Sequence, residues 1–275
     1  MTWNINDKHV LVTGGTSGIG RATAAQLASR GARVTITSRT LSTAQNAADE
    51  LTAATGTQVE PAEVDLASLD AVRTFAASYA DRHDRLDILI NNAGIAPTPD
   101  PPKVERGIAN QMARMEGRLA DMVPPDTTVD LTDADWDRMI KVHLYGTFYG
   151  TRAALRHMTP ARSGSIVNIS SVLGLRPMAG SLHYAAAKAG IIAVTKSTGQ
   201  EVAPFGVRVN AVCPGWIDTP LLAPMDPMMM AGITMQIPRG RMGTAEELAE
   251  LVRFLSGPES SYCNGDVFAA SGGFV

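Results

Sequence analysis

The sequence predicts an α/β fold in which a doubly wound parallel sheet of about seven strands carries helices on both faces. Short runs of β-branched residues alternate along the chain with longer, alanine-rich stretches, and this alternation is typical of parallel sheets covered by helices. A glycine-rich turn directly after the first strand supports the same architecture. The 275 residues contain no internal repeat and no linker, so residues 1–275 are expected to form a single domain.

The buried strands are expected where short apolar, β-branched runs end in polar or glycine residues. They cover residues 9–13, 33–37, 58–64, 87–91, 165–170 and 207–213, with a weaker seventh strand at 266–270. Helices are predicted between them near 18–30, 41–54, 68–82, 133–159, 182–203 and 245–256. Thr244 and Glu247 form the capping-box pattern at the start of the last helix.

Residues 97–131, here called the insertion, interrupt the alternation of strands and helices. A structureless loop of this length is unusual, and the apolar residues inside it recur at helical spacing: Ile108, Met112, Met115, Leu119 and Met122. Prolines flank this helix on both sides: Pro97, Pro99, Pro101, Pro102, Pro124 and Pro125. The pattern fits an extra helix packed on the body or on another subunit, and it equally fits a flap beside a substrate cleft.

The composition excludes several classes of protein. Hydrophobic residues make up 45% of the chain and charged residues 19%, and the net charge of −3 argues against a nucleic-acid surface. The two cysteines, Cys213 and Cys263, fit neither a disulfide framework nor a zinc site, and no metal ligand cluster is apparent. The first residues are polar without a signal region, and no apolar run has membrane-spanning length. A soluble, cytoplasmic protein without a membrane partner is therefore expected.

A tyrosine and a lysine stand four residues apart in the predicted helix 182–203, which places Tyr184 and Lys188 on one helix face. A free phenol has a pKa of about 10, and a nearby ammonium group favours the phenolate and lowers that pKa. Tyr184 can then donate a proton to a carbonyl oxygen or accept one from an alcohol. Ser171, on a separate segment, can hydrogen-bond the same oxygen.

The glycine-rich turn predicts a site for the phosphates of a dinucleotide. Glycine allows a close approach of the backbone, and the following helix N-terminus offers free N–H groups and a positive dipole. The spacing is G-x-x-x-G-x-G, which departs from the general G-x-G-x-x-G fingerprint of the Rossmann-type fold. The predicted cofactor contacts in this turn are Gly14, Thr16, Ser17, Gly18, Ile19 and Gly20.

The end of the second strand indicates which cofactor is used. An acidic residue there binds the hydroxyls of the adenosine ribose, whereas an arginine accommodates a 2′-phosphate. Residues 35–39 contain no carboxylate and end in Ser38 and Arg39, which favours NADP(H) and leaves NAD(H) as the alternative. Arg39 also fits a solvated residue at the start of a helix.

Together these motifs resemble those of the short-chain dehydrogenase/reductase family, and the resemblance covers nearly the whole chain outside the insertion. T-G-x-x-x-G-x-G matches residues 13–20, N-N-A-G matches 91–94, and P-G-x-x-x-T matches 214–219. Ser171 lies thirteen positions before Tyr184, as the catalytic serine of the family does, and Y-x-x-x-K ends at Lys188.

The resemblance implies roles for these residues in hydride transfer between nicotinamide and a carbonyl or secondary alcohol. Ser171 polarises the substrate oxygen, Tyr184 acts as acid or base, and Lys188 lowers the tyrosine pKa and, like Tyr184, contacts the cofactor. Further implied cofactor contacts are Asp65, Leu66, Asn92, Ala93, Gly94, Pro214, Gly215, Ile217 and Thr219. The family commonly forms homotetramers through its two long helices, so a homo-oligomer (tetramer or dimer) is expected.

One position departs from the family pattern. His143 stands where the family usually has an asparagine whose backbone carbonyl supports a proton path to the lysine. A histidine keeps that carbonyl, so His143 is a candidate catalytic residue, and some members that act on hydroxyacyl thioesters resemble this V-H-L variant. The alternative is a buried, hydrogen-bonded histidine without a catalytic role.

The resemblance also implies that residues 219–242 form a substrate lid, and their many methionines would make its surface apolar and adaptable. Ordinary packing beneath a loop explains the same residues. The favoured function is an NADP(H)-preferring oxidoreductase that acts on an apolar substrate, either a 3-oxoacyl thioester or a cyclic ketone. The alternative from another class is a dinucleotide-binding regulator without catalysis.

Overall fold

The computed structural model describes residues 5–97, 100–124, 126–223, 225 and 227–275, with the backbone alone for residues 227 and 228. Four of the residues that the sequence assigned to proline hinges or to the lid lie outside the described residues: Pro99, Pro125, Pro224 and Asp226.

Seven parallel strands form one sheet in the order β3-β2-β1-β4-β5-β6-β7. The strands are β1 (His9–Thr13), β2 (Arg33–Ser38), β3 (Val59–Glu63), β4 (Ile88–Asn91), β5 (Gly164–Ile169), β6 (Val207–Pro214) and β7 (Val267–Ala270). The predicted fold class and all seven strands are confirmed, within two residues at each end. The strand order reverses between β1 and β4, and ligands bind at such a reversal, beyond the carboxyl ends of the strands.

Helices cover both faces of the sheet. They are α1 (Gly18–Ala28), α2 (Leu41–Thr55), α3 (Leu69–Arg82), α4 (Pro101–Met115), α5 (Asp133–Ile140), α6 (Gly146–Ala161), α7 (Val172–Leu175), α8 (Leu182–Val202), α9 (Pro227–Met235) and α10 (Ala245–Ser256). One apolar core lies between the sheet and α1, α2 and α10, and the second lies between the sheet and α3, α6 and α8. No helix in the described part of the chain is long and apolar enough to cross a membrane.

The long helix predicted near 133–159 contains a widened turn in the structure. The α5 helix ends at Ile140, a single π-helical turn spans Lys141–Tyr145, and α6 follows. Such turns widen the helix locally and occur frequently at functional sites. The helical segment predicted near 133–159 is therefore confirmed, but apolar spacing does not reveal the widened turn inside it. The capping box at Thr244 and Glu247 is confirmed at the start of α10.

The insertion folds back on itself as a hairpin. The polar face of α4 contacts the returning segment, since Asn110 exchanges two hydrogen bonds with the backbone of Val123, at 2.6 and 2.9 Å. Lys103 pairs with Asp130 at 3.2 Å on the same face.

Three of the five residues of the predicted apolar stripe face outward. Met112 is 56% exposed, Met115 81% and Leu119 64%, whereas Ile108 and Met122 are half-buried. The middle of the stripe therefore does not pack on the body of the same chain. The side of α4 that faces the returning segment is occupied by polar residues such as Asn110 and Lys103, so the opposite, apolar side faces outward. Contact with another subunit and a flap beside the substrate remain open.

Candidate active site

Three side chains meet beyond the carboxyl end of β5. Ser171 lies two residues after that strand and is the N-cap of α7, where its Oγ accepts a hydrogen bond from the Leu173 N–H at 3.1 Å. Tyr184 and Lys188 lie one turn apart on α8, which packs against α7. The structure therefore brings the predicted trio together, although α7 itself was not predicted from the sequence.

Burial governs the acidity of the phenol. It raises the pKa of Tyr184, while the hydrogen bond with the Ser171 side chain opposes that change and the nearby Cys213 adds to it. In this structure the loss of solvent around the phenolate outweighs the favourable contacts, so the net pKa of Tyr184 is raised, and the lowering of that pKa by Lys188 stays a prediction. The hydroxyl is therefore protonated at neutral pH, which suits a proton donor.

The ammonium group of Lys188 is buried below Tyr184. Lys188 is 4% exposed, and its Nζ donates a hydrogen bond to the Ile169 carbonyl at 2.9 Å. The Nζ lies 5.6 Å from the centre of the Tyr184 ring. Burial lowers the pKa of Lys188 to about 7. Near neutral pH this amine can therefore gain or lose a proton when the charge of the neighbouring Tyr184 changes.

His143 lies in the π-helical turn with its ring edge-on to Tyr184, the two ring centres being 5.4 Å apart. Its Nε2 is 3.1 Å from the Ile95 nitrogen and 2.9 Å from the Ile95 oxygen, while its buried Nδ1 has no hydrogen-bond partner among the described residues. Burial, with Lys188 next in effect, holds the pKa of His143 well below its usual range. The imidazole is therefore neutral and fixed, which matches the predicted buried histidine.

Gly94 is required by this ring. A Cβ at residue 94 would lie 2.5 Å from Cε1 and 3.1 Å from Nδ1 of His143. We expect Gly94→Ala to lower the free energy of unfolding by about 1–3 kcal/mol, since the added methyl overfills a packed site. Urea unfolding measures this cost.

The matched test places Gly94→Ala in a His143→Ala background. Without the ring, the added methyl has room, and its cost should fall to less than half of its value in the native chain. Equal costs in the two backgrounds would contradict the steric account.

Thr13 connects the glycine-rich turn to the N-N-A-G motif. Its Oγ1 accepts hydrogen bonds from the N–H groups of Asn92 and Ala93, at 3.0 and 3.1 Å, and Asn92 Nδ2 donates to the carbonyls of Thr13 and Gly14. The sequence analysis named Thr13 only as part of the glycine-rich motif. Its bridging role could not be predicted there, because it depends on the pairing of β1 with β4.

The turn itself has the shape that a dinucleotide phosphate requires. Gly14 has φ +63° and lies so close to Ala93 that a Cβ would be 2.8 Å from its Cα. The N-cap of α1, Ser17, makes no side-chain hydrogen bond to the helix start, so the N–H groups of the first turn, which includes Ile19 and Gly20, stay available to an anion. The residues present therefore fit the phosphate groups of a dinucleotide.

The other predicted cofactor residues border the same edge of the sheet. Gly18 approaches the Thr219 side chain, and the Leu66 side chain lies against Gly146 at the start of α6. The remaining ones lie in the same loops: Thr16 in the glycine turn, Asp65 after β3, Pro214 at the end of β6, Gly215 against Ser271, and buried Ile217.

The end of β2 brings in a residue that the sequence analysis missed. Ser38 pairs in register with Glu63 of β3, and the Glu63 carboxylate accepts a hydrogen bond from the Leu41 N–H at 3.0 Å. Arg39, between them in the turn, is exposed and forms no ion pair with any residue that the structure describes. Residues 35–39, at the end of β2, carry no carboxylate, as the sequence analysis states, but the neighbouring strand β3 supplies that of Glu63. Parallel pairing of the predicted strands would have revealed it.

The predicted lid contains a short helix, α9, that the sequence did not indicate. Ile233 and Ile237 are buried, whereas Met235 is 88% exposed. Apolar side chains therefore face both the body and the outside of this segment.

Comparisons with known proteins agree with this geometry. The chain matches the short chain dehydrogenase family over residues 8–229. It is 37% identical over 273 residues to the 3-oxoacyl-[acyl-carrier-protein] reductase of Aquifex aeolicus, covering 99% of each chain. Among solved structures, the 3-oxoacyl-[acyl-carrier protein] reductase of Brucella melitensis superposes with a TM-score of 0.84 at 31% identity, over 99% of this chain and 93% of that one. Levodione reductase gives a TM-score of 0.82 at 29% identity, over 98% of both chains.

The fold and the site thus define an oxidoreductase that uses a nicotinamide dinucleotide. Within that class, the chain belongs to the short-chain dehydrogenase/reductase family.

Proposed function

We propose that this protein is an NADP(H)-preferring ketoreductase that interconverts a carbonyl group and a secondary alcohol in an apolar substrate. The convergence of Ser171, Tyr184 and Lys188 beside a phosphate-shaped turn is the observation that carries the proposal. Residues 1–275 act as one catalytic domain, with the insertion at 97–131 and a lid at 219–242.

The protein's part in the reaction is positioning and proton transfer. The hydroxyls of Ser171 and Tyr184 hydrogen-bond the substrate oxygen, and Tyr184 donates its proton to that oxygen in reduction or accepts one in oxidation. Near neutral pH Lys188 is nearly balanced between its charged and neutral forms. Its charged form stabilises the tyrosinate of Tyr184 and can give that oxygen a proton again after the transfer. The nicotinamide supplies or accepts the hydride when it is bound.

His143 supports the same proton path through its backbone carbonyl, which already accepts a hydrogen bond from the Gly146 N–H in the π-helical turn and keeps a second lone pair for a water. Its neutral imidazole keeps the Ile95 segment in place beside Tyr184. The ring is thereby a positioning element rather than an acid or base.

NADP(H) is preferred because Ser38 and Arg39 end β2, and NAD(H) stays a usable alternative. Among substrates, a 3-oxoacyl thioester is favoured by the names of the relatives and by the V-H-L variant at His143. A cyclic ketone is the second candidate, favoured by the exposed apolar side chains of the insertion and of α9, such as Met115 and Met235.

The test is NADPH oxidation with two substrates, a short β-ketoacyl thioester and a cyclic ketone, each repeated with NADH. We expect the thioester with NADPH to give the higher kcat/KM, by about tenfold or more. A higher value for the cyclic ketone would replace the thioester assignment. No turnover with either, combined with tight dinucleotide binding, would favour the regulator alternative.

We also propose a cytoplasmic homo-oligomer, a tetramer or a dimer. The side chains of Tyr145 and Phe148 are exposed at the start of α6, and Arg152 lies 4.7 Å above the Phe148 ring. Exposed aromatic residues beside an arginine are typical of protein interfaces. The net charge of −3 and the apolar stripes fit neither a nucleic-acid partner nor a basic membrane-binding surface.

A further inference from the structure

The Glu63 carboxylate occupies the start of α2. β2 and β3 end side by side, because Val64 N–H donates to the Ser38 carbonyl at 2.9 Å and Ser38 lies opposite Glu63. The Glu63 carboxylate then reaches the N–H of Leu41, the first residue of α2, at 3.0 Å. The hydroxyl of the N-cap residue, Thr40, bonds the Thr43 hydroxyl at 2.8 Å and caps no backbone N–H of the helix, so Glu63 serves in its place.

This position matters for the cofactor, and here the argument rests on the proposed function. The 2′-phosphate of NADP(H) is proposed to bind Ser38 and Arg39, which lie three and two residues before Leu41. A 2′-phosphate thus meets one cation, on Arg39, and one carboxylate, on Glu63, within a single turn of chain.

The two cofactors differ in how they respond to that carboxylate. The phosphate carries about one and a half to two negative charges at neutral pH, so a nearby exposed carboxylate weakens its binding by about threefold to tenfold. A free ribose carries no charge at this place, so its binding is unaffected by the same repulsion. The penalty therefore falls on NADP(H) alone.

We infer that Glu63 is a specificity-determining residue that limits the preference for NADP(H) and keeps NAD(H) usable by this chain. Arg39 and Glu63 act in opposite directions on the same phosphate. The ratio of the two cofactor affinities is set by their balance rather than by the end of β2 alone.

The experiment compares Glu63→Gln with the native protein by isothermal titration calorimetry. The probes are 2′,5′-ADP, which carries the 2′-phosphate, and 5′-AMP, which lacks it. The glutamine retains an oxygen that accepts the Leu41 N–H, so the start of α2 is kept while the charge is removed. Asp49→Asn removes a charge from an exposed position farther along α2 and is the matched control.

Glu63→Gln should tighten 2′,5′-ADP binding by about threefold to tenfold, with less than a twofold change for 5′-AMP. The gain should shrink at 0.5 M salt, because screening weakens exposed charge pairs. Asp49→Asn should change neither affinity. NADPH and NADH titrations of the same variants should give the same ratio.

Unchanged 2′,5′-ADP binding in Glu63→Gln, or equal changes for both probes, would overturn the inference. Arg39→Ala separates this failure from failure of the proposed function. If Arg39→Ala weakens 2′,5′-ADP binding while Glu63→Gln has no effect, the NADP(H) assignment stands and only the role of Glu63 is refuted. A native protein that binds neither NADPH nor 2′,5′-ADP would contradict both.

Discussion

Tyr184→Phe should lower kcat by about 10²- to 10⁴-fold, the range that a positioned proton donor contributes. The substitution removes only the hydroxyl that hydrogen-bonds the Ser171 side chain, while the ring keeps its edge-on contact with His143. The neighbouring Ser171 and Lys188 stay in place. Steady-state NADPH oxidation with the better of the two test substrates measures the loss.

Dinucleotide binding should survive this change. We expect the NADPH dissociation constant of Tyr184→Phe to stay within about threefold of the native value, because the glycine turn and the β2 end are untouched. Tyr262→Phe is the matched control, since Tyr262 is fully exposed and should keep full activity. Native turnover in Tyr184→Phe would refute the assignment of the proton donor.

Lys188→Met should abolish turnover and yet stabilise the fold. Burial lowers the pKa of Lys188 from 10.5 to about 7, which corresponds to at most roughly 5 kcal/mol of lost stability at neutral pH. Methionine fills a similar volume without a charge, but the Ile169 carbonyl loses its partner at a cost of about 1–3 kcal/mol. A net gain of about 2 kcal/mol in the free energy of unfolding is expected at pH 7.

The gain should depend on pH in a definite direction. The folded pKa lies below the unfolded value, so between pH 7 and 10.5 the unfolded chain binds the proton that the folded chain has lost. The stability of the native protein therefore rises by about 1.4 kcal/mol per pH unit through this interval relative to Lys188→Met, so the advantage of the variant disappears at about pH 9. Above that pH the unpaired Ile169 carbonyl leaves the variant less stable than the native protein. Urea unfolding across this range measures it.

The exposed Lys196 on the same helix provides the control, because Lys196→Met should show no pH-dependent difference from the native protein. A Lys188→Met variant that is less stable than the native chain at pH 7 would contradict the burial argument. Retained turnover would contradict the role of the ammonium group.

Most of the sheet could be predicted from the sequence, because each buried parallel strand coincides with a short run of β-branched residues. The candidate site could also be predicted as a set of motifs, because the glycine turn, Ser171, Tyr184 and Lys188 each have fixed spacing. Their meeting follows from the parallel topology, which places every strand end on one edge of the sheet.

What could not be predicted depends on groups that are distant in sequence. The Glu63 carboxylate lies beside Ser38 only through the register of β2 and β3. The outward direction of Met115 follows from hydrogen bonds between the two arms of the insertion. The raised pKa of Tyr184 follows from burial by the whole fold, whereas the sequence shows only the lysine one turn away.

The close packing of Gly94 and His143 restricts how this sequence can change over generations. The two residues are 49 positions apart along the chain, yet a side chain at position 94 fits only if position 143 carries a residue smaller than histidine. A lineage that carries the histidine is thereby held to glycine at the earlier position. Among descendants of this chain, a substitution at position 94 is expected to appear together with one at position 143 or after it.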